Sequence, residues 1–270
     1  MARGELMRKV IFFDIDGTLV NTMGGVNIIT SKVKQALKDL QQKGHMIFIA
    51  TGRPYAFISQ AIKDIGFDGY VLANGAQVIV KDKIIHMNKI NKDELMDITK
   101  RFRDIGVEYI IEDEEYSYVD KSFNELIDFY HKVGVKDKYI KKEFDINDIN
   151  GLKVEMLCAD KDIGKKCKEI INSFPQFGYY SSIDDICFEL YLKQNTKAVG
   201  ILKVLEYFNL SIEDSFAFGD GQNDIEMLST VGCGIAMGNA KEEVKNHADF
   251  ITDSVDNDGV YTGIYKYILK

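Results

Sequence analysis

Cysteine and proline are scarce in this chain of 270 residues, and long apolar runs are missing from it. The four cysteines, Cys158, Cys167, Cys187 and Cys233, form no CxxC pair and have no histidine at ligand spacing. That argues against a zinc site or a disulfide framework and for reduced thiols in a cytoplasmic protein. With two prolines and 22 glycines, collagen-like and low-complexity disordered chains are excluded. No stretch reaches the roughly 18 apolar residues of a membrane span, so no membrane partner is expected. Met1 to Lys9 is too short and too charged ahead of Val10–Phe13 to be a signal peptide, and either Met1 or Met7 could be the biological start. Basic charge is in deficit as well: 34 Lys and Arg stand against 42 Asp and Glu, a net charge of −8. A broad surface for gripping nucleic acid or anionic lipid is thereby excluded, while a local cationic pocket is not.

What is present is ordinary for a globular protein with a sizeable core: 46% hydrophobic and 28% charged residues. The length allows one large domain or two smaller ones. Val10–Phe13 is a short apolar run that stops at Asp14, the pattern of a buried strand. A helix is expected over Ser31–Gln42, a strand over Met46–Ala50, a helix from Tyr55 to Ile65 and a strand over Tyr70–Ala73. The alternation returns after Thr196, with a helix to Phe208, strands at Ser215–Phe218, Gly234–Ala236 and Phe250–Ile251, and short helices between and after them. Such βαβ order predicts an α/β fold, a Rossmann-like parallel sheet with helices on both faces.

The middle of the chain mixes helices (Lys92–Ile105, Phe123–Val133, Ile163–Phe174) with alternating strands (Val107–Ile111, Leu152–Cys158, Cys187–Tyr191). This is an α+β pattern, expected as an open sheet with helices on one face. The expected organisation is therefore a core of residues 1–82 and 191–270 interrupted by an inserted domain of residues 83–190.

Two acid clusters follow apolar strands. Asp14-Ile15-Asp16-Gly17-Thr18-Leu19 places two carboxylates at i and i+2, which on extended backbone point the same way beyond the sheet's carboxyl edge. Gly219-Asp220-Gly221-Gln222-Asn223-Asp224 adds a second pair, expected on one side of a starting helix. Either alone is compatible with a polar turn or a helix cap. Together at one sheet edge they predict a Mg²⁺ site, because crowded carboxylates repel unless a cation intervenes and Mg²⁺ favours hard oxygen ligands. One carboxylate could be a nucleophile and the other a general acid/base. Thr51, at the end of the second strand, offers a hydroxyl and nearby backbone N–H groups, including that of Gly52, near a helix start. Lys197, at the start of a helix, is a candidate counter-charge for a phosphate.

These pieces, in this order, resemble the haloacid dehalogenase superfamily: DIDGTL at 14–19, ATGR at 50–53, Lys197 and GDGQND at 219–224. Asn74-Gly75-Ala76, the run Ala236-Met237-Gly238-Asn239-Ala240 and Asp258-Gly259-Val260 are similar to its Cof-type phosphatase branch. The resemblance implies that Asp14 is a nucleophile forming an aspartyl-phosphate and that Asp16 protonates the leaving oxygen and then activates water. It implies Mg²⁺ held by the Asp14 carboxylate, the Asp16 carbonyl, Asp220 and Asp224, with Thr51, Gly52, Lys197 and Asn223 binding the phosphoryl group. Gln194-Asn195-Thr196-Lys197-Ala198 departs from the family's common Lys-Gly pairing. Asp16 separates this chain from the family's P-type ATPases, which carry Thr there, and from its dehalogenases.

Between Leu19 and the second strand only about thirty residues intervene, too few for a lid. The insert lies between Thr51 and Lys197, which the resemblance equates with a type-2 cap that closes over the site and sets specificity. Tyr179, Tyr180 and Tyr191 in the insert are expected to pack, His86 and His131 to be structural or exposed, and Glu112–Glu115 to form a solvated turn. Most of the net negative charge falls in the insert, which favours compact monophosphates over polyanions. The expected activity is a Mg²⁺-dependent phosphatase of small phosphorylated metabolites, sugar phosphates foremost, in a monomer or small homo-oligomer. The alternatives are a phosphosugar mutase of the phosphomannomutase type and a non-catalytic phosphometabolite-binding regulator.

Overall fold

A computed structural model describes residues 8–22, 24–25, 28–132, 135, 137–182 and 184–269. Met1 and Met7, the alternative starts, and Val133, the expected end of one helix, lie outside them. In chain order the elements are β1 Val10–Phe13, α1 Ser31–Gln42, β2 Met46–Ala50, α2 Gln60–Lys63, β3 Gly69–Leu72, β4 Gln77–Val80 and β5 Lys83–Met87. There follow α3 Lys92–Asp104, β6 Glu108–Glu112, β7 Ser117–Val119, α4 Asn124–Lys132, β8 Ile140–Lys141, β9 Lys153–Leu157, α5 Lys161–Asn172, β10 Phe177–Ser181 and β11 Cys187–Leu192. The chain then runs through α6 Lys197–Phe208, β12 Ser215–Gly219, α7 Ile225–Thr230, β13 Cys233–Ala236, α8 Glu242–Lys245, β14 Phe250–Ile251 and α9 Gly259–Gly263. No helix of the described residues is long and apolar enough to cross a membrane.

The chain forms two compact units. The first holds a sheet of order β14-β13-β12-β1-β2-β3-β4-β5, parallel from β14 to β3 and antiparallel beyond. Alternation along the strands sends Val10, Phe12, Phe48 and Ala217 to one face, where Ile201, Val204 and Leu205 of α6 and Met227 and Leu228 of α7 cover them. Helix α1 lies against β2 and α9 and buries Val33, Ala36, Leu37 and Leu40. Its start is fixed by Thr30, whose hydroxyl accepts from the Val33 N–H. This is the expected α/β core.

The second unit carries a sheet of order β10-β11-β9-β6-β7-β8, antiparallel except for the β7–β8 pair. Leu95, Ile98 and Phe102 of α3 and Cys167 and Ile171 of α5 pack on the face that bears Ile111, Val154 and Met156. The expectation of helices on one face only needs correction. Leu126, Ile127 and Tyr130 form an apolar stripe on α4 and bury Ile110 on the opposite face. Glu112 also departs from the expected solvated turn, being fully buried.

The junctions fall a few residues later than 82/83 and 190/191. Strand β5 pairs antiparallel with β4 and so belongs to the first sheet. Asn88 and Asn195 then clasp each other, the Asn88 amide donating to Asn195 Oδ1 at 2.6 Å and the Asn195 amide to the Asn88 carbonyl at 3.3 Å. The second unit accordingly comprises residues 88–195 together with residues 53–58. The helix expected over Tyr55–Ile65 is broken into a 3₁₀ turn at Tyr55–Phe57 and the single turn α2. Phe57 packs its ring at a tilt against Tyr130, ring centroids 5.2 Å apart.

Candidate active site

Parallel strands β1, β2 and β12 end in register, Phe13 lying beside Ile49 and Phe218. Their carboxyl ends therefore deliver Asp14, Thr51 and Asp220 to one edge of the sheet, the edge where open α/β sheets bind ligands. The Asp14 N–H still donates to the Phe218 carbonyl at 3.0 Å, so the sheet's own ladder fixes this aspartate. Beyond it the chain does not stay extended, contrary to expectation. The Ile15 carbonyl collects the N–H groups of Leu19 and Val20, each at 3.0 Å, and Gly17 turns through φ +86°. A side chain at Gly17 would put its Cβ 2.1 Å from Asp220 Oδ2, so both the turn and the close carboxylate demand glycine.

The turn separates the two aspartates of the motif. Asp14 is buried, whereas Asp16 is exposed and accepts a hydrogen bond from the Thr22 hydroxyl. The carboxylates that converge are those of Asp14, Asp220 and Asp224, each offering an oxygen within 4.8 Å of the others. Asp220 and Asp224 are not successive residues on a helix face, as expected from their spacing. Asp220 precedes a 3₁₀ turn over Gln222–Asp224. Asp224 reaches back instead, its Oδ2 accepting from the N–H groups of Asp220 and Gly221, both at 2.9 Å.

Lys197 is completely buried among these acids. Its Nζ contacts Asp14 Oδ1 and Asp224 Oδ1, both at 2.6 Å. Two features of the sequence bring it there. Thr196 caps α6 by accepting from the Val199 N–H at 3.2 Å, which makes Lys197 the first helical residue. Gly75, at φ +94°, lets the capping residue come close: a Cβ there would meet the Thr196 carbonyl oxygen at 2.0 Å.

Thr51 is buried at the end of β2. Its own N–H is committed to the Val71 carbonyl at 2.9 Å, so its hydroxyl is what it brings to a ligand. No long helix starts beside it, since the following segment is the broken one described above. Asn223 donates to Asn74 Oδ1 at 3.0 Å, and Gly52 passes close by, the site of its missing Cβ being 3.1 Å from the same oxygen and 3.5 Å from Asn223 Nδ2. Asn74 itself sits in the left-handed region with φ 54°. Three supporting residues carried no expected role: Thr18 donates to Asp220 Oδ1 at 3.0 Å, Thr22 holds Asp16, and Asn239 donates to the Gly17 carbonyl at 2.9 Å. Asn74 and Asn239 lie inside the short motifs quoted above, which was their only signal.

Burial sets the electrostatics. It pushes the Asp14 carboxyl well above its ordinary range against the pull of Lys197, and the charges of Asp224 and Asp220 add to the rise. Asp220 is pushed up to about 7 by burial and by Asp224, with the Thr18 hydrogen bond opposing. Burial also works against the Lys197 ammonium, but Asp14 and Asp224 more than offset it and hold its pKa above the ordinary value. One ammonium among three converging carboxylates leaves an excess of negative charge, and every donor atom is a hard oxygen. This is the donor set of a small divalent cation.

A pH dependence follows. An unfolded aspartate titrates near 3.8 and Asp220 near 7, so across that window the folded, metal-free protein holds a proton that the unfolded chain has released. The contribution of Asp220 to metal-free stability should therefore fall as pH rises from about 4 to 7. A cation competes with that proton, so the rise in melting temperature on adding Mg²⁺ should be larger at pH 8 than at pH 5.5. Differential scanning fluorimetry at the two pH values checks the sign.

The sequence profile of the haloacid dehalogenase-like hydrolases matches residues 11–264. YkrA of Bacillus subtilis is 30% identical over 259 residues, spanning 93% of this chain and 95% of YkrA. The 5-amino-6-(5-phospho-D-ribitylamino)uracil phosphatase YcsE of Bacillus subtilis is 27% identical over 277 residues, 99% of this chain and 98% of that protein. Among solved structures, the subclass IIB sugar phosphatase BT4131 superimposes with a TM-score of 0.81 at 30% identity, covering 96% of this chain and 98% of that one.

Proposed function

The chain belongs to the haloacid dehalogenase-like hydrolases, and from that premise we propose that it is a cytoplasmic, Mg²⁺-dependent phosphatase of small phosphorylated metabolites, working through an aspartyl-phosphate at Asp14. The observation that carries this reading is the convergence of Asp14, Asp220 and Asp224 around buried Lys197. Asp14, Asp220 and Asp224, with the Asp16 carbonyl, would hold Mg²⁺, which when bound neutralises phosphoryl oxygens and carboxylate charge.

Asp14 supplies the attacking oxygen. Its bond to phosphorus forms as the ester P–O bond breaks on the opposite side. Lys197 fixes the Asp14 carboxylate at 2.6 Å and can pass part of its charge to a phosphoryl oxygen, where stabilisation of the transition state is worth most. The Thr51 hydroxyl, the Gly52 N–H and the Asn223 amide bind the remaining oxygens. Asp16 gives a proton to the leaving alkoxide and later takes one from the water that hydrolyses the aspartyl-phosphate. Its exposure and its hydrogen bond from Thr22 suit a carboxyl group that must exchange protons with solvent. The second unit would act as the cap that sets specificity.

YcsE is named for a phosphoribitylamino compound and BT4131 for sugar phosphates. We extend to this chain the class they share, a phosphate on a polyhydroxylated carbon chain. Release of inorganic phosphate from sugar phosphates, nucleotides, flavin mononucleotide and pyridoxal phosphate tests this. Turnover should require Mg²⁺ and stop with EDTA, and sugar phosphates should exceed nucleotides in kcat/KM by about tenfold or more, about 1.4 kcal/mol in the barrier. Undiminished turnover in EDTA would contradict the metal assignment, and a preference for nucleotides the substrate class.

A further inference from the structure

The catalytic reading leaves a second buried lysine unexplained. Lys153 on β9 is 1% exposed, and its Nζ lies 2.8 Å from Glu155, 2.9 Å from Glu189 and 3.1 Å from Glu112. Strand register puts these four side chains on one face of the second sheet, Lys153 beside Glu112 and Glu155 beside Glu189. From α4, the Tyr130 hydroxyl donates to Glu155. Burial drives the Glu112 carboxyl well above its ordinary range against the pull of Lys153, and the charges of Glu155 and Glu189 add to the rise.

One carboxylate would neutralise Lys153. Two more ionisable groups in a buried place add desolvation cost without adding stability that apolar side chains could not match. The cluster borders a cavity of about 220 Å³ whose lining is mostly apolar, with the carboxylates of Glu155 and Glu189 as its charged groups. It is lined by Tyr130, Glu155, Tyr180, Ser181, Ser182 and Glu189 among others. Glu155 and Glu189 remain about a quarter exposed, at 25% and 24%. Lys153 donates to Glu155 and Glu189 and the Tyr130 hydroxyl to Glu155, and each carboxylate accepts up to about four hydrogen bonds. Tyr180, stacked on Tyr191 at 4.8 Å, adds an aromatic surface to one side.

The occupant of such a cavity has to bring donors. A phosphate or carboxylate would meet Glu155 and Glu189 and be repelled. Neutral hydroxyl groups fit: they donate to the carboxylates, accept from the serines and lay their C–H faces on the tyrosine. We propose that this cavity in the second unit binds a neutral polyhydroxylated carbon chain through Glu155 and Glu189. The chain could belong to a free polyol or sugar or, if the phosphatase reading holds, to the alcohol part of a phosphomonoester.

Full-length protein with Mg²⁺ tests the proposal in two arms. In the first, binding of D-sorbitol, ribitol and D-glucose is followed by isothermal titration calorimetry. At least one should bind, and Glu189→Gln and Tyr180→Leu, both with wild-type melting temperatures, should each weaken it about tenfold. In the second arm, KM is compared for sorbitol 6-phosphate and for p-nitrophenyl phosphate, which has no hydroxyls on its leaving group. A rise in KM in the variants for the former alone assigns the site to the substrate's alcohol. Loss of polyol binding with both KM values unchanged assigns it to a free polyol. If no polyol binds and neither KM moves in folded variants that still hydrolyse p-nitrophenyl phosphate, the proposal is overturned. If the wild-type protein hydrolyses neither ester, the phosphatase reading fails, while the calorimetric arm still decides the cavity.

Discussion

Asp14→Asn is expected to lower phosphate release by about 10⁴-fold or more, a barrier increase of roughly 5.5 kcal/mol, in a protein that remains folded. The amide is nearly isosteric with the carboxylate, so the turn at Ile15–Val20 and the hydrogen bond from the Asp14 N–H to the Phe218 carbonyl should persist. What disappears is the nucleophilic oxygen, and no neighbouring carboxylate is placed to substitute for it. Asp220 is held by Thr18, Asp224 by the N–H groups of Asp220 and Gly221, and Asp16 is exposed. Stability should move the other way. Burial raises the Asp14 carboxyl well above its ordinary value, so at neutral pH its ionised form works against folding when no metal is bound. Asp224, 2.6 Å from Lys197 in the wild-type protein, should remain its partner in the variant. The melting temperature in EDTA should thus stay level or rise, while the gain on adding Mg²⁺ shrinks. Parallel phosphate-release and melting measurements read both halves of this trade between activity and stability.

Lys197→Met should show the opposite balance. Lys197 is completely buried and is the counter-ion that both Asp14 and Asp224 contact. Removing one partner of a buried ion pair costs about 3–5 kcal/mol, because the remaining charges stay desolvated. For a unit of this size that corresponds to a fall of roughly 10 °C in melting temperature in EDTA at pH 7.5. The loss has a diagnostic pH dependence. Lowering the pH to 5.5 protonates the uncompensated carboxyls, so the deficit should narrow, and saturating Mg²⁺ should narrow it too by supplying the missing positive charge. Activity should fall about 10²–10³-fold even in Mg²⁺, the usual cost of removing one preorganised stabiliser of transition-state charge. An equal melting temperature for variant and wild type at both pH values would show that the pair is not what neutralises the site.

The sequence carried the core well where local signals and burial agreed. Helix α1 runs over the expected Ser31–Gln42 because Thr30 caps it and an apolar stripe runs along it, and β1, β2 and β14 keep their expected ends. The acid clusters were legible for the same reason: each follows an apolar strand, so the sheet decides where it lies. Orientation beyond the strand ends was not legible. The turn at Gly17 sends Asp16 away from Asp14, and Asp224 folds back onto its own loop, because hydrogen bonds to Ile15 and to the Asp220 N–H outweigh simple strand or helix periodicity.

Long-range contacts were the other gap. Phe57 reads as helical until its ring is seen on Tyr130. Glu112 reads as part of an acidic surface run until strand register sets it beside Lys153. The helix after the last strand is α-helical only to Gly263 and continues as a π-helix over Ile264–Ile268.

The central claim is that the phosphoryl group passes through Asp14. Rapid acid quenching during turnover of p-nitrophenyl phosphate, followed by peptide mapping, tests it directly. A phosphorylated carboxyl should be found on Asp14 during steady turnover, and it should be absent from Asp14→Asn. Continued turnover of the wild-type protein with no phosphorylated residue, or with the phosphoryl group on a residue other than Asp14, would contradict it.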